Sequence, residues 1–347
     1  MIDELLHAWF HDLAWPYLLV GFLLSIVVLG YSADKLVDFA VKLSARTGIP
    51  RVVVGATIVS LGTTMPEAAV SVFAAVKGQP ELALGNAVGS IICDTGLILG
   101  LACILLPLPI DRRIVNRQGW IQFGTGLLLV LACVNWSDPL NSFADDGGGV
   151  LSQQTGWVFV VLLIGYLAWS MKITQGSEMP EEDEEDLSET RPAWLITSLI
   201  LVSSLALVAS SMVLVEVTKE SARQLNVPAG IIAATVVAFG TSLPELVTAM
   251  TAVKKQKGEI AVGNVIGADI LNVLFVAGAS ASVTSEGLVA GPYFFRLQFP
   301  IMLAALVIFR IGIATARDGK LSRSIGFLLL GVYLTYLVLN LVMNASS

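Results

Sequence analysis

The chain has 347 residues, 55% of them hydrophobic and only 14% charged, with a net charge of −7. Its mean hydropathy of +0.80 is far from the balance of soluble domains, which excludes a water-soluble globular fold and points to an integral membrane protein.

The first fifteen residues, MIDELLHAWFHDLAW, have no basic start and no small-residue cleavage site. They read as a short interfacial amphipathic lead-in and not as a signal peptide. His7 and His11 share one face of it at i,i+4, a spacing that can hold a metal but here lacks a third ligand. Apolar runs of roughly 20 residues, enough to cross about 30 Å of hydrocarbon as a helix, then recur at 16–36, 52–76, 81–106, 118–136, 151–171, 193–217, 229–253, 260–282, 297–316 and 323–343. The expectation is an all-α integral membrane protein of ten transmembrane helices. A β-barrel would alternate in short segments, and runs such as VLLIGYLAW do not.

With these spans, sixteen of the twenty lysines and arginines fall on one side of the membrane. That side is expected to be cytoplasmic, with both termini outside the cell membrane. Cys93, Cys103 and Cys133 all fall within spans and read as small apolar residues, so no disulfide framework is implied. The stretch SEMPEEDEEDLSETR between the fifth and sixth spans carries much of the negative charge. It reads as a solvated linker, 172–192, between two halves, 1–171 and 193–347. A weak regulatory cation sensor is the sharper alternative, although its spacing does not resemble a calcium loop.

The two halves repeat. Residues 50–100, beginning PRVVVGATIVSLGTTMPEAAV, align without a gap on residues 228–278, beginning PAGIIAATVVAFGTSLPELVT, at a constant offset of 178 (245 − 67). Glu67 falls on Glu245, Pro66 on Pro244, Gly62 on Gly240, Asn86 on Asn264 and Gly89 on Gly267. Five spans per half is an odd number, so the second half must enter the membrane inverted, giving two inverted five-helix repeats. Inverted repeats suit alternating-access transporters with a site near the middle of the membrane.

Within GTTMPE, Thr63 and Glu67 lie on one helix face. Pro66 has no N–H, so the Gly62 carbonyl loses its helical partner and becomes available to a cation; Thr241, Pro244, Glu245 and the Gly240 carbonyl repeat this in GTSLPE. Two carboxylates, two hydroxyls, carbonyls and water make a hard-oxygen donor set that suits Ca²⁺ better than Mg²⁺, and no histidine or cysteine stands near to recruit zinc or copper. The structural alternative pairs each glutamate with a basic residue, but the cores of the motif-bearing spans hold no lysine or arginine. Each buried acid costs about 2.5–3.5 kcal/mol to insert even on lenient scales, so two at equivalent positions argue for a bound cation. The following spans carry LGNAVGSIICD and VGNVIGADILN. Their GxxxG glycines allow close helix approach, while Asn86, Ser90 and Asp94 form a polar stripe spaced by four, and Asn264, Asp269 and Asn272 add to it from the second half.

GTTMPE with GNAVGSIICD, and GTSLPE with GNVIGADILN, resemble the α-1 and α-2 repeats of the cation/Ca²⁺ exchanger superfamily, most closely its sodium/calcium exchanger branch, the bacterial-type calcium/sodium antiporters. The resemblance implies Na⁺-driven Ca²⁺ antiport, with calcium at Thr63, Glu67, Thr241 and Glu245. Sodium positions map to Ser60, Thr64, Ser90, Asp94, Ala238, Ser242, Ala268 and Asn272. Asp269 stands as a further sodium or neighbouring residue, and Asn86, Asn264, Gly62 and Gly240 support them. The chain departs from the family in having Ala268 for a small hydroxyl, Ile91 for asparagine, and Asp94 with Asn272 where the order Asn then Asp is usual.

Charge also implies antiport. An empty cavity with two uncompensated carboxylates is costly to seal, whereas one Ca²⁺ or several monovalent cations make it nearly neutral. Each net charge moved would couple to voltage by about 2.3 kcal/mol per 100 mV. Proton- or potassium-coupled exchange and a passive cation channel are the alternatives. No nucleotide motif suggests a pump, and neither an enzyme, a cofactor nor a nucleic-acid partner is expected; a monomer suffices.

Overall fold

A computed structural model describes residues 9–10, 13–144, 147–173, 191–225, 240–316 and 318–345. His7, His11, Ala238 and most of the 172–192 linker lie outside the described residues.

Helices dominate. In chain order they are α1 (Trp15–Thr47), α2 (Arg51–Thr63) and α3 (Met65–Val76), α4 (Pro80–Leu105), α5 (Arg112–Cys133), α6 (Gln153–Ile173), α7 (Ala193–Gln224), α8 (Leu243–Lys254), α9 (Gly258–Ser282), α10 (Phe294–Thr315) and α11 (Arg323–Ala345). Among the described residues six of these are long and apolar enough to cross a membrane, or up to seven if α2 and α3 form one bent span. The protein is therefore a multi-pass helical membrane protein.

Local chemistry sets the boundaries. Gly48, at φ 70°, caps α1 by donating its N–H to the Ser44 carbonyl. The Asp111 carboxylate accepts from the amides of Arg113 and Ile114 at 2.8 and 3.1 Å to start α5. Prolines stand in the first turn of α3, α4 and α8, where their missing N–H costs nothing. At Pro66 the consequence is a 47° bend between α2 and α3.

Burial sorts the helices. The apolar window of α9 is 94% buried, against 28% for α1, so α9 is the central element and α1 turns one flank outward. Its 33 residues span about 50 Å at 1.5 Å each, more than the hydrocarbon core, and it lies along α7. Tyr17, Leu19, Val20, Leu23 and Leu24 are exposed on it, as a lipid-facing flank should be.

Backbones meet where α2 crosses α9. A Cβ on Gly55 would sit 2.8 Å from the Ile260 carbonyl oxygen, and one on Gly263 or Gly267 would strike the backbone of Val52 or Ala56. Only glycine permits this approach. Among the described residues four helices also carry one wide turn, at Gly55–Val59, Cys93–Ile98, Asn272–Ala277 and Phe294–Gln298. The second and third begin at nearly equivalent places in the repeat, at Cys93, which precedes Asp94, and at Asn272, the counterpart of Asp94. Such π-turns inside helices are common at functional sites. Two short strands, β1 (Gly149–Leu151) and β2 (Leu288–Ala290), pair antiparallel and tie the loop before α6 to the loop before α10. A bridge from Pro109 to Lys320 ties the loop before α5 to the one before α11. The three cysteines are free and buried.

Candidate ion-binding site

The bend at Pro66 puts Thr63, Thr64 and Glu67 together, and the start of α8 does the same for Thr241, Ser242 and Glu245. The two groups meet crosswise. The Thr64 hydroxyl donates to Glu245 Oε1 at 3.4 Å, Thr63 also faces the Glu245 carboxyl, and Thr241 faces that of Glu67. Each half thus presents its hydroxyl to the other half's acid. Glu67, Glu245 and Asp94 are each 1% exposed, and Glu67 lies within electrostatic reach of both other acids.

These groups are unsatisfied. Both oxygens of Glu67, Oε2 of Glu245, Oδ1 of Asp94, Ser242 Oγ and Asn272 Oδ1 have no hydrogen-bond partner among the described residues. Among the described residues no lysine or arginine acts on Glu67, Asp94, Glu245 or Asp269. Buried carboxylates without donors or counter-charges are costly, and a cation relieves that cost. Among the described residues no group of three or more His, Cys, Asp or Glu forms a ready metal cage; what gathers here is acids mixed with hydroxyls and amide oxygens.

The surrounding residues fall into place unevenly. Asp94 and Asn272, equivalent by the repeat, meet each other, with the Asn272 amide donating to Asp94 Oδ2 at 3.5 Å, and Ser242 lies beside Asp94. Thr63 donates to Asn264 Oδ1 at 3.3 Å. Asn86 instead holds α3, donating to Ser71 Oγ at 2.9 Å and the Glu67 carbonyl at 3.3 Å. It is half-buried while Ser90 and Asp94 are buried, so the stripe runs into the protein interior along α4. Ser60 is fully buried beside Gly267, and Ala268 is buried on α9. Gly62 packs against Ser204 of α7. The Gly240 carbonyl, expected to be free for an ion, accepts the Ser211 hydroxyl at 3.2 Å, leaving one lone pair for any other ligand.

Sequence reasoning missed the contribution of α5. Gln122 Nε2 donates to Asp269 Oδ2 at 2.5 Å, and the Thr95 hydroxyl donates to the same oxygen. Deeper along the same helix, Gln118 joins Ser170 and Tyr166 at 2.8 and 3.1 Å. The signal was present: Gln118, Gln122 and Thr125 form a polar stripe in an otherwise apolar span.

Comparison with known proteins shows the family. The pattern of the family described as sodium/calcium exchanger protein matches residues 17–172 and 195–342. The inner membrane protein YrbG of Escherichia coli K12 is 33% identical over 339 residues, covering 94% of this chain and 96% of that one. The sodium/calcium exchanger MaX1 of Methanosarcina acetivorans is 28% identical over 342 residues, covering 91% and 96%. A solved structure of the sodium-calcium exchanger NCX_Mj superposes with a TM-score of 0.76 at 25% identity, covering 93% of this chain and 98% of that one. The chain belongs to the sodium/calcium exchanger family and is an antiporter.

Proposed function

We propose that this antiporter exchanges Ca²⁺ for Na⁺ by alternating access at one shared site. Ca²⁺ is held by Thr63, Glu67, Thr241 and Glu245. Na⁺ uses these together with Ser60, Thr64, Ser90, Asp94, Ser242 and Asn272, with Asp269 as a further ligand or neighbour, while Asn86, Asn264, Gly62 and Gly240 shape the surroundings. The observation that carries the reading is the pair of buried glutamates from equivalent positions, with three of their four oxygens unpartnered and no basic group acting on them among the described residues.

Ten spans in two inverted halves, 1–171 and 193–347 joined by the 172–192 linker, complete the proposal. Loop pairing supports it. The loops before α5 and α11 are bridged, and those before α6 and α10 share a two-stranded sheet. Each pair must lie on one face, and the ten-span count gives that result; one span more or fewer between them would put the partners on opposite faces. The basic-loop side is cytoplasmic and both termini are outside. The cell membrane is the expected location, in keeping with a relative named as an inner membrane protein, and the monomer is the working unit.

The experiment is Ca²⁺ flux in sealed vesicles with Na⁺, K⁺ and pH gradients varied one at a time. Uptake should need an opposing Na⁺ gradient and should fall at least 100-fold in Glu67→Gln or Glu245→Gln, since losing one partner of a charged, desolvated contact costs about 3 kcal/mol or more. Uptake driven by a K⁺ or pH gradient without Na⁺ would replace sodium as the counter-ion. Passive flux with no counter-ion would sink the exchange itself.

A further inference from the structure

Away from the ion site, cations gather on an outer flank of the molecule. The outward face of α5 is one stripe, with Arg113, Arg117 and Trp120 at its start and Gly124, Leu128 and Leu131 following at helical spacing. All six are exposed except the half-buried Arg117. Arg310 of α10 is laid across the first turns of this stripe. Its guanidinium donates to the Asn116 carbonyl at 3.2 Å and to Asn116 Oδ1 at 2.6 Å, and it stands 4.4 Å from the centre of the Trp120 ring. Gly119 makes room for it, since a Cβ there would sit 2.8 Å from Arg310 Nη1. From the other side, Arg117 lies 5.1 Å from the centre of the Trp169 ring on α6, and Lys172 is exposed one turn further along that helix. Among the described residues no carboxylate pairs with Arg113, Arg117, Lys172 or Arg310. The Nε atoms of Arg117 and Arg310 are buried with no hydrogen-bond partner among the described residues.

We propose that this cradle between α5, α6 and α10 binds the phosphate of an anionic phospholipid, whose acyl chains run along Gly124, Leu128 and Leu131. Arg117 and Arg310 stand about 8 Å inside their helices, counted from Arg112 and Thr315, on a flank that is apolar beyond them. Cations at that depth are costly without an opposing charge. The arginine fork suits phosphate oxygens, and tryptophan rings favour the level of the headgroups. The apolar lane leaves the cradle in the direction an acyl chain must take, and it is open at Gly124, where a Cβ would meet nothing within 4 Å. A free phosphate would use the arginines and leave the lane empty. The excess of positive charge selects an anionic headgroup, because a zwitterionic one brings its own cation. Pairing of Pro109 with Lys320 joins the loops beside the start of α5 and the end of α10, so the lipid belongs to the leaflet on the face with the basic loops.

The test follows the thermal unfolding midpoint of the full chain in a non-ionic detergent as phosphatidylglycerol, phosphatidylcholine or inorganic phosphate is added, since a ligand held by the folded state raises that midpoint. Phosphatidylglycerol should raise it saturably, and the other two should not at equal concentration. Arg113→Gln and Arg117→Gln should each need about tenfold more phosphatidylglycerol for the half-maximal rise, as expected from losing a hydrogen bond between charged groups. Arg46→Gln, which removes the same charge from the exposed end of α1, should need no more than the unsubstituted chain. Arg113 is exposed, so its substitution keeps the test sound even where that of Arg310, packed on Gly119, impairs folding. The absence of a rise with phosphatidylglycerol overturns the inference, and so does an equal rise with phosphatidylcholine or an equal loss in Arg46→Gln, either of which reduces it to bulk contact with lipid. An equal rise with inorganic phosphate overturns it in favour of a plain anion pocket. A rise seen only after the 172–192 linker has been cut gives the cations to the chain's own acidic segment instead.

Discussion

Gly89 and Gly267 occupy equivalent places in the two repeats, yet a methyl group would meet different surroundings at each. At Gly267 it would strike the Ala56 carbonyl and Ser60 Oγ, whereas at Gly89 nothing among the described residues comes within 4 Å. Backbone cannot yield as a side chain can, so Gly267→Ala should cost about 1–3 kcal/mol by forcing α2 off α9. Gly89→Ala should stay within about 0.5 kcal/mol. Thermal unfolding of the two variants in detergent checks the difference, and equal midpoints would mean that α2 and α9 are not in contact. The crossed placement of Thr63 beside Glu245 and Thr241 beside Glu67 follows the same logic at the site: the repeat supplies two copies of each group, and folding sets each beside the other half's acid.

At the level of elements, the repeat is unequal. α8 lies along α1, while its counterpart α3 makes no comparable contact with α7 among the described residues. A charge clasp accompanies the closer pair. Lys255, just beyond α8, reaches Asp38 Oδ1 at 2.5 Å and Asp34 Oδ1 at 2.7 Å on α1. Burial pulls the Lys255 amine down, but the hydrogen bonds with Asp34 and Asp38 outweigh it and hold its pKa above the usual lysine value. A raised lysine pKa contributes stability that is present below the ordinary lysine range and is lost only as pH rises through the raised value. The clasp should therefore hold throughout the physiological range and respond to salt before it responds to alkali. Such partly exposed pairs contribute about 0.2–1 kcal/mol each. Lys255→Met should accordingly speed backbone hydrogen exchange in α8 by a few-fold at most, with calcium affinity unaltered. Unchanged exchange in α8 would show that apolar packing alone joins it to α1.

For the molecule as a whole, the halves are not separable bodies. α1 packs on α7, α2 on α9, α4 on α11, α5 on α10 and α6 on α9, every one a contact between halves. Proteolytic cutting within the 172–192 linker in vesicles should therefore leave calcium exchange intact, because these contacts hold the halves together without it. Residues 1–171 expressed alone should not fold stably, since α2 would expose the face it buries on α9. Loss of exchange on cutting, with the two fragments still associated, would instead give the linker an active role.

Composition, repeat and the Pro66–Glu67 and Pro244–Glu245 motifs were legible in the chain because hydropathy and i,i+4 spacing are local properties. They determined a helical membrane protein, the duplication, and the identity of the two central acids. What only the tertiary structure decided is which distant helices meet. Gln122 reaches Asp269 across 147 positions of sequence, Ser211 takes the Gly240 carbonyl, and Asp94 finds its own counterpart Asn272. These pairings depend on how α4, α5, α7 and α9 cross, and crossing is set by side-chain packing that no single segment contains.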